Sequence, residues 1–191
     1  MELLNIETAR LRIRKLQSLD LLDFHFYRSN PEVTKFQGFD TMDLPQAKEF
    51  IELNSSLNYG LVGEWVQYAI ALIDTNQLIG DCAIKLDKHS PGMAEIGITI
   101  PPTEQNKGFA KEAIFGILEF LFDIKKFHRI FAIVDAENIS SIHLLRSLSF
   151  RQEGHFIENI FFKGQWGNEF QFAMLKSEWD SLNKVKSNTN V

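Results

Sequence analysis

The stretch Ala94-Glu95-Ile96-Gly97-Ile98-Thr99-Ile100-Pro101-Pro102, continued by Gln105-Asn106-Lys107-Gly108-Phe109-Ala110, decides the fold. Its first part predicts a short strand over 95–100, ended by two prolines that cannot donate ladder hydrogen bonds. Its second part opens a helix over 108–123, where Phe109, Ala113, Ile114, Ile117, Leu118, Leu121 and Phe122 form one apolar face. A loop between a strand end and a helix start leaves backbone N–H groups free, and the helix dipole favours an anion beside them. Gln105, Asn106, Lys107, Gly108, Phe109 and Ala110 therefore make a candidate pyrophosphate cradle, the alternative being a turn with an ordinary glycine at a helix start. The segment lacks the Gly-Lys-Ser/Thr of a P-loop and the three glycines of a dinucleotide fingerprint, so neither nucleotide class follows.

Working outward, residues 65–73 and 77–86 predict a hairpin joined by Asp74-Thr75-Asn76. Residues 8–14 alternate Leu11 and Ile13 with Arg10, Arg12 and Arg14, the period of a strand with one wet face. Ser18 opens a helix expected to bury Leu19, Leu22, Phe26 and Leu21, closed by Asn30-Pro31. A second helix starts at Asp43, with Pro45 in its first turn and Gln46 in capping-box spacing, and runs to about Leu57. Downstream come a strand over 129–135, a helix over 138–148, and strands over 150–160 and 169–175 split by Lys163-Gly164-Gln165-Trp166-Gly167. The polar tail 184–191 is expected to fray.

Length and composition bound the function. With 191 residues, 45% hydrophobic and 24% charged, the chain reads as one folded domain. A net charge of −5 argues against nucleic acid as a partner. The single Cys82 suits a reducing cytoplasm. No run approaches the roughly 20 apolar residues of a spanning helix, and residues 1–14 show no export signal, so no membrane partner is expected and a cytoplasmic location is. The five histidines lack metal spacing, so no metal is expected. Ser140, Ser141 and His143 lack the G-x-S-x-G turn of a hydrolase. Seventeen phenylalanines imply a Phe-packed core or an apolar cleft, and Phe24, Phe26, Phe36, Phe39, Trp65 and Trp166 suit either.

The strand 94–100, the loop Gln105 to Ala110, the strand entry His128-Arg129-Ile130, the Asn138-x-x-Ser141 turn into a helix and its closing Leu148-Ser149-Phe150 resemble, in order and spacing, the GNAT superfamily of acyl-CoA-dependent N-acetyltransferases. The opening Thr8-Ala9-Arg10-Leu11-Arg12-Ile13-Arg14 and the closing Ala173-Met174-Leu175-Lys176-x-Glu178-Trp179 look like its RimJ/RimL branch, which includes enzymes that acetylate N-termini of ribosomal proteins. The resemblance covers residues 8–180. It implies an α+β single-domain fold: a mixed, mostly antiparallel central sheet of about seven strands, helices on both faces and a splayed cofactor cleft. It also implies acetyl-CoA as co-substrate and a primary amine as acceptor, on a peptide N-terminus or a small molecule, and it allows a homodimer.

Residue by residue, the resemblance lays the pyrophosphate on the backbone of Gln105, Asn106, Lys107, Gly108, Phe109 and Ala110, with Lys107 adding charge. Ile98, Thr99 and Ile100 would pair with the pantetheine arm, Asn138 would reach it, and the Ser141 hydroxyl would lie near the cofactor sulfur. Read as residues alone, Asn138 or Ser140 can equally be the N-cap of the helix. The implied reaction is direct attack of a neutral amine on the thioester carbonyl, which needs a base. Glu95 is the first candidate, with Asp81 and Glu64 on the neighbouring hairpin as weaker ones. Two positions depart from the family pattern. Leu145 stands where many members carry a thiolate-protonating tyrosine, and Ser149 where a glycine is usual. The proton for the leaving thiolate would then come from Ser141 or water. A second reading, an acyl-CoA-binding sensor without turnover, rests on Leu145.

Overall fold

The structure is a computed structural model describing residues 4–189. Its order is β1 (Ile6–Glu7), β2 (Leu11–Lys15), a 3₁₀ turn (Ser18–Asp20), α1 (Leu21–Arg28), α2 (Pro31–Thr34), α3 (Leu44–Ser56), β3 (Trp65–Leu72), β4 (Leu78–Leu86), β5 (Met93–Thr99) and α4 (Phe109–Leu118). There follow a π-helical turn (Glu119–Ile124), β6 (Arg129–Asp135), α5 (Ile139–Ser147), β7 (Arg151–Phe162), β8 (Gln165–Leu175) and α6 (Lys176–Thr189). Residues 184–189 of the expected tail are thus the end of α6, while 190 and 191 lie outside the described residues. The fold is an open, mostly antiparallel eight-stranded sheet with helices around it, one strand more than expected because Ile6–Glu7 adds a short edge to β2.

The chain forms two compact units, Met1–Leu86 with Ile96–Ile117 and Asp87–Glu95 with Leu118–Val191. In the first unit the strands follow the order β1-β2-β3-β4-β5. β3 and β4 form the expected antiparallel hairpin, with Tyr68 opposite Cys82. Leu11 and Ile13 are buried as the alternation predicts, but Arg14 is buried too. Its guanidinium forks onto Asp20 at 2.7 and 2.8 Å, and Asp20 also accepts the Gln17 N–H, so this strand carries charge on its inner face. Asp43 caps α3 with the predicted reciprocal bonds to Gln46, 2.8 Å each.

Of the face expected for the first helix only Leu21 packs against the core. Leu19, Leu22 and Phe26 are 64, 72 and 69% exposed, while Phe24, Tyr27 and Arg28 are buried. Phe24 stacks on Phe50 of α3 at 5.3 Å, in a core with Leu16, Tyr27, Ala47, Ile51, Ala69 and Leu78. The reason is electrostatic: Arg28 is turned inward by a partner on β4, described below.

In the second unit β5 pairs with β6 in parallel, and β8 and β7 follow as an antiparallel hairpin. The parallel register is short, Met93–Glu95 against Arg129–Phe131. Trp179 of α6 stacks on Phe122 at 5.9 Å and donates to Asp123 at 2.9 Å, which anchors α6 to the π-helical turn.

A surface network here has a measurable consequence. Arg129 grips Glu153 with bonds of 2.9 and 2.6 Å, and Arg151 adds to it, joined on its other side to Glu178. These bonds, led by Arg129 and opposed by partial burial, lower the Glu153 carboxyl to about 2 from an ordinary 4.5. A depressed carboxyl stabilises the fold above the ordinary value, and that stability is lost as pH falls towards 2. Glu153→Gln should cost about 1–2 kcal/mol at pH 7 after allowance for solvent screening, with the difference from wild type shrinking between pH 4.5 and 2. Denaturant unfolding of both proteins across this range checks it; a pH-independent difference contradicts it.

Candidate cofactor and active site

In the first unit, the expected cofactor residues form one continuous path from the end of β5 to the start of α4. Ile98 and Thr99 are the last residues but one and last of β5, and Thr99 is buried. Pro101 and Pro102 end the strand and start a 3₁₀ turn, Pro102–Glu104. The Gln105 side-chain amide donates back to the Ile100 carbonyl at 2.9 Å, so Gln105 ties the loop to the strand and occupies that carbonyl. Lys107 pairs with Glu104 at 3.0 Å.

The loop backbone is bent into a form that glycine and asparagine tolerate best, with φ of 61° at Asn106 and 81° at Gly108. Gln105, Asn106, Lys107 and Gly108 are exposed, whereas Phe109 is buried beneath them. The first bond of α4 runs from Glu112 N–H to the Gly108 carbonyl at 3.1 Å. The N–H groups of Phe109, Ala110 and Lys111 precede it and are the open donors of the first turn, beside the positive end of the helix dipole. Open N–H donors at a helix start are groups that can donate hydrogen bonds to an anion.

Three residues that sequence reasoning did not single out hold this loop. Glu112 accepts from the Thr8 hydroxyl at 2.6 Å, the Arg10 backbone N–H at 2.8 Å and Arg10 Nε at 2.7 Å. Arg10 Nη1 donates to the Lys107 carbonyl at 3.1 Å, and its guanidinium lies 4.5 Å above the Phe109 ring. Burial opposes ionisation of Glu112, but the Thr8 and Arg10 bonds outweigh it and hold the carboxyl below its ordinary range. One turn on, Gly116 lets α4 close on the N-terminal strands, since a Cβ there would stand 2.8 Å from a Thr8 methyl. The alternation over residues 8–14 was legible, but a partner 102 positions away leaves no local signal.

Asp81, one of the weaker candidate bases, is not placed for that work. It is fully buried and ion-paired with the equally buried Arg28, and it accepts from Gln67 at 3.0 Å. Glu64, the other, is an exposed residue next to β3.

In the second unit, Glu95 is half-buried on β5, opposite Phe131 of β6 and between the buried Ala94 and Ile96. Asn138 is the N-cap of α5, its side-chain oxygen accepting the Ser141 N–H at 3.1 Å. The capping role is therefore present, and the Asn138 amide NH₂ is not used in it. Ser141 sits half-buried in the first turn. Leu145 is 3% exposed, part of the core under α5, so a tyrosine there would overpack the helix by about 1–3 kcal/mol. Among the described residues no three His, Cys, Asp or Glu side chains gather as a metal site, and no helix is long and apolar enough to cross a membrane.

Comparison with known proteins identifies the family. The family described as Acetyltransferase (GNAT) domain matches residues 10–151. The N-acetyltransferase p20 of Bacillus licheniformis is 34% identical over 90% of this chain and 96% of its own. The spermidine N(1)-acetyltransferase of Vibrio cholerae is 35% identical over 90% of this chain and 96% of its own. Among solved structures, a GNAT-family acetyltransferase from Bacillus anthracis superposes with a TM-score of 0.80 at 29% identity, covering 92% of this chain and all of that one. The loop at the start of α4 lies inside the matched region, and the chain belongs to the GNAT family of acetyl-CoA-dependent acetyltransferases.

Proposed function

We propose that this chain moves the acetyl group of acetyl-CoA to the primary amine of a small cationic molecule such as a polyamine. The exposed Gln105-Asn106-Lys107-Gly108 loop, with its open donors at the start of α4, carries the cofactor half of this reading. The acceptor half is supported by the 35% identity to a spermidine acetyltransferase and by the net charge of −5, which attracts cations. A peptide N-terminus is the second reading. It is favoured by residues 8–14 and 173–179, which resemble the RimJ/RimL pattern and here lie in and just before β2, at the end of β8 and at the start of α6.

In the proposed reaction the pyrophosphate rests on the backbone of Gln105, Asn106, Lys107, Gly108, Phe109 and Ala110, and the pantetheine arm runs along Ile98, Thr99 and Ile100. The family resemblance also assigns the Asn138 amide NH₂ to the pantetheine arm. Glu95, directly or through a water, takes the proton of the ammonium, and the neutral nitrogen then attacks the thioester carbon. The zwitterionic tetrahedral intermediate collapses with cleavage of the C–S bond, and the nitrogen gives up its second proton to solvent, leaving the neutral amide and a coenzyme A thiolate. Leu145 has no proton to give, so Ser141 or water protonates the thiolate; with a pKa near the thiol reference of about 8.5 it leaves with little assistance.

Thiol release from acetyl-CoA with spermidine, other small amines and a free-N-terminal peptide as acceptors tests the assignment. Release with a small amine is the expected result; release only with the peptide supports the second reading, and none with any acceptor overturns both. Glu95→Gln should lower kcat by about 10²-fold while the affinity for coenzyme A stays near wild type. Full turnover in that variant removes Glu95 from the mechanism.

A further inference from the structure

We infer that Arg10, held in place by Glu112, is a positioning residue for the cofactor loop: it fixes the orientation of the Lys107–Gly108 peptide and so aims the loop N–H groups at the donor's phosphates. This rests on the acetyl-CoA reading above and extends it to residues on the opposite side of the loop.

A trans peptide is planar, and its C=O and N–H point in opposite directions. Arg10 Nη1 binds the Lys107 carbonyl, which turns that oxygen towards β2 and turns the Gly108 N–H away from it. The same bond takes the carbonyl that a continuing helix would offer to Lys111 N–H four residues on, so α4 begins at Phe109 and Lys111 N–H stays an open donor. The guanidinium covers Phe109, and its Nη2 lies 3.4 Å from where a Gly108 Cβ would be, so one side of the loop is filled by Arg10.

The Arg10 side chain is itself held. Its Nε donates to Glu112 Oε2 while its own backbone N–H donates to Oε1, so a single carboxylate fixes both ends of the residue. Thr8 completes the carboxylate's bonds. A planar fork that donates to a carboxylate at Nε and to a carbonyl at Nη1, while stacking on a ring, is work a lysine cannot reproduce. The cluster lies between the N-terminal strands and the first turn of α4, where a purely structural ion pair would have no need to capture a loop carbonyl.

Calorimetric titration of coenzyme A into the full chain tests the inference. Wild type binds; failure to bind would overturn the acetyl-CoA reading together with this one. Arg10→Ala should raise Kd about tenfold or more, with a ligand-free melting temperature within about 4 °C of wild type. Arg10→Lys, which keeps the charge and loses the fork, should stay weakened. Glu112→Gln, which keeps acceptors for Thr8 and the Arg10 backbone while loosening Nε, should move Kd in the same direction by less, and it serves as the test if Arg10→Ala does not fold. Arg10→Ala should also raise KM for acetyl-CoA with kcat within about threefold, yet leave kcat/KM unchanged for S-acetylpantetheine, which has no phosphates. Wild-type affinity in Arg10→Ala, full recovery in Arg10→Lys, or equal loss with both donors overturns the positioning role while leaving the acetyl-CoA reading intact.

Discussion

Asp81→Ala should lower the unfolding free energy by about 3–5 kcal/mol, more than any other single change considered, although Asp81 lies outside the chemistry. Arg28 and Asp81 are both fully buried, and the guanidinium sits against the rings of Phe39, Phe24 and Tyr27 at 4.2, 5.2 and 5.6 Å. Arg28 Nε and Nη1 and Asp81 Oδ1 have no hydrogen-bond partner among the described residues, so the pair is already under-satisfied and depends on its one ionic contact. Removing the carboxylate leaves a fully buried guanidinium without its counter-ion, and also frees the side chain of Gln67, whose backbone N–H ties β3 to α3 through Asn54 at 3.0 Å. The double variant Arg28→Met/Asp81→Val removes both charges close to the original volume and should recover most of the loss. Denaturant unfolding of the three proteins decides it: a cost below about 1 kcal/mol for Asp81→Ala would mean that the pair is hydrated.

That pair also explains why the inner face of α1 was not legible while α3 was. α3 carries its signal locally, in Asp43, Pro45 and Gln46, and each does in the structure what its position predicts. The 3₁₀ turn and α1 together carry a stripe of Leu19, Leu22 and Phe26 with helical spacing, yet the inner face of α1 holds Arg28 paired with Asp81, 53 positions later. An apolar stripe is evidence of burial only when no buried charge competes for the inner face. Arg14 repeats the lesson on β2, where alternation implied solvent and Asp20 supplies a buried partner.

For the candidate site, the legible part was what one loop can encode: two prolines to stop a strand, a glycine at φ 81° and a helix start. Asn138 as a cap was legible for the same reason, since its partner Ser141 is three residues away. The devices that hold the loop, Thr8, Arg10 and Glu112, were not, because each acts across about a hundred residues of chain. Leu145 was visible as a departure, and the structure adds that it is packed into the core.

Gly108→Glu should abolish the rise in melting temperature that acetyl-CoA gives the wild type, a ligand-linked stabilisation of about 2.7 kcal/mol at a hundredfold excess over Kd. Two effects combine. The position has φ 81°, where a side chain costs about 1–2 kcal/mol, so part of the loop geometry is lost. The new carboxylate would also stand on the exposed loop beside the open N–H donors of α4, where it competes for them and repels a phosphate. Its Cβ, 3.4 Å from Arg10 Nη2, lets the carboxylate neutralise that guanidinium as well. Gly108→Ala separates the two effects, because it carries the backbone strain without the charge and should keep a reduced but measurable shift. Since the loop is exposed, neither variant should unfold the protein, and the ligand-free melting temperature reports this directly. An undiminished acetyl-CoA shift in a folded Gly108→Glu protein would move the cofactor away from the start of α4, and with it the roles given to Lys107, Phe109 and Ala110.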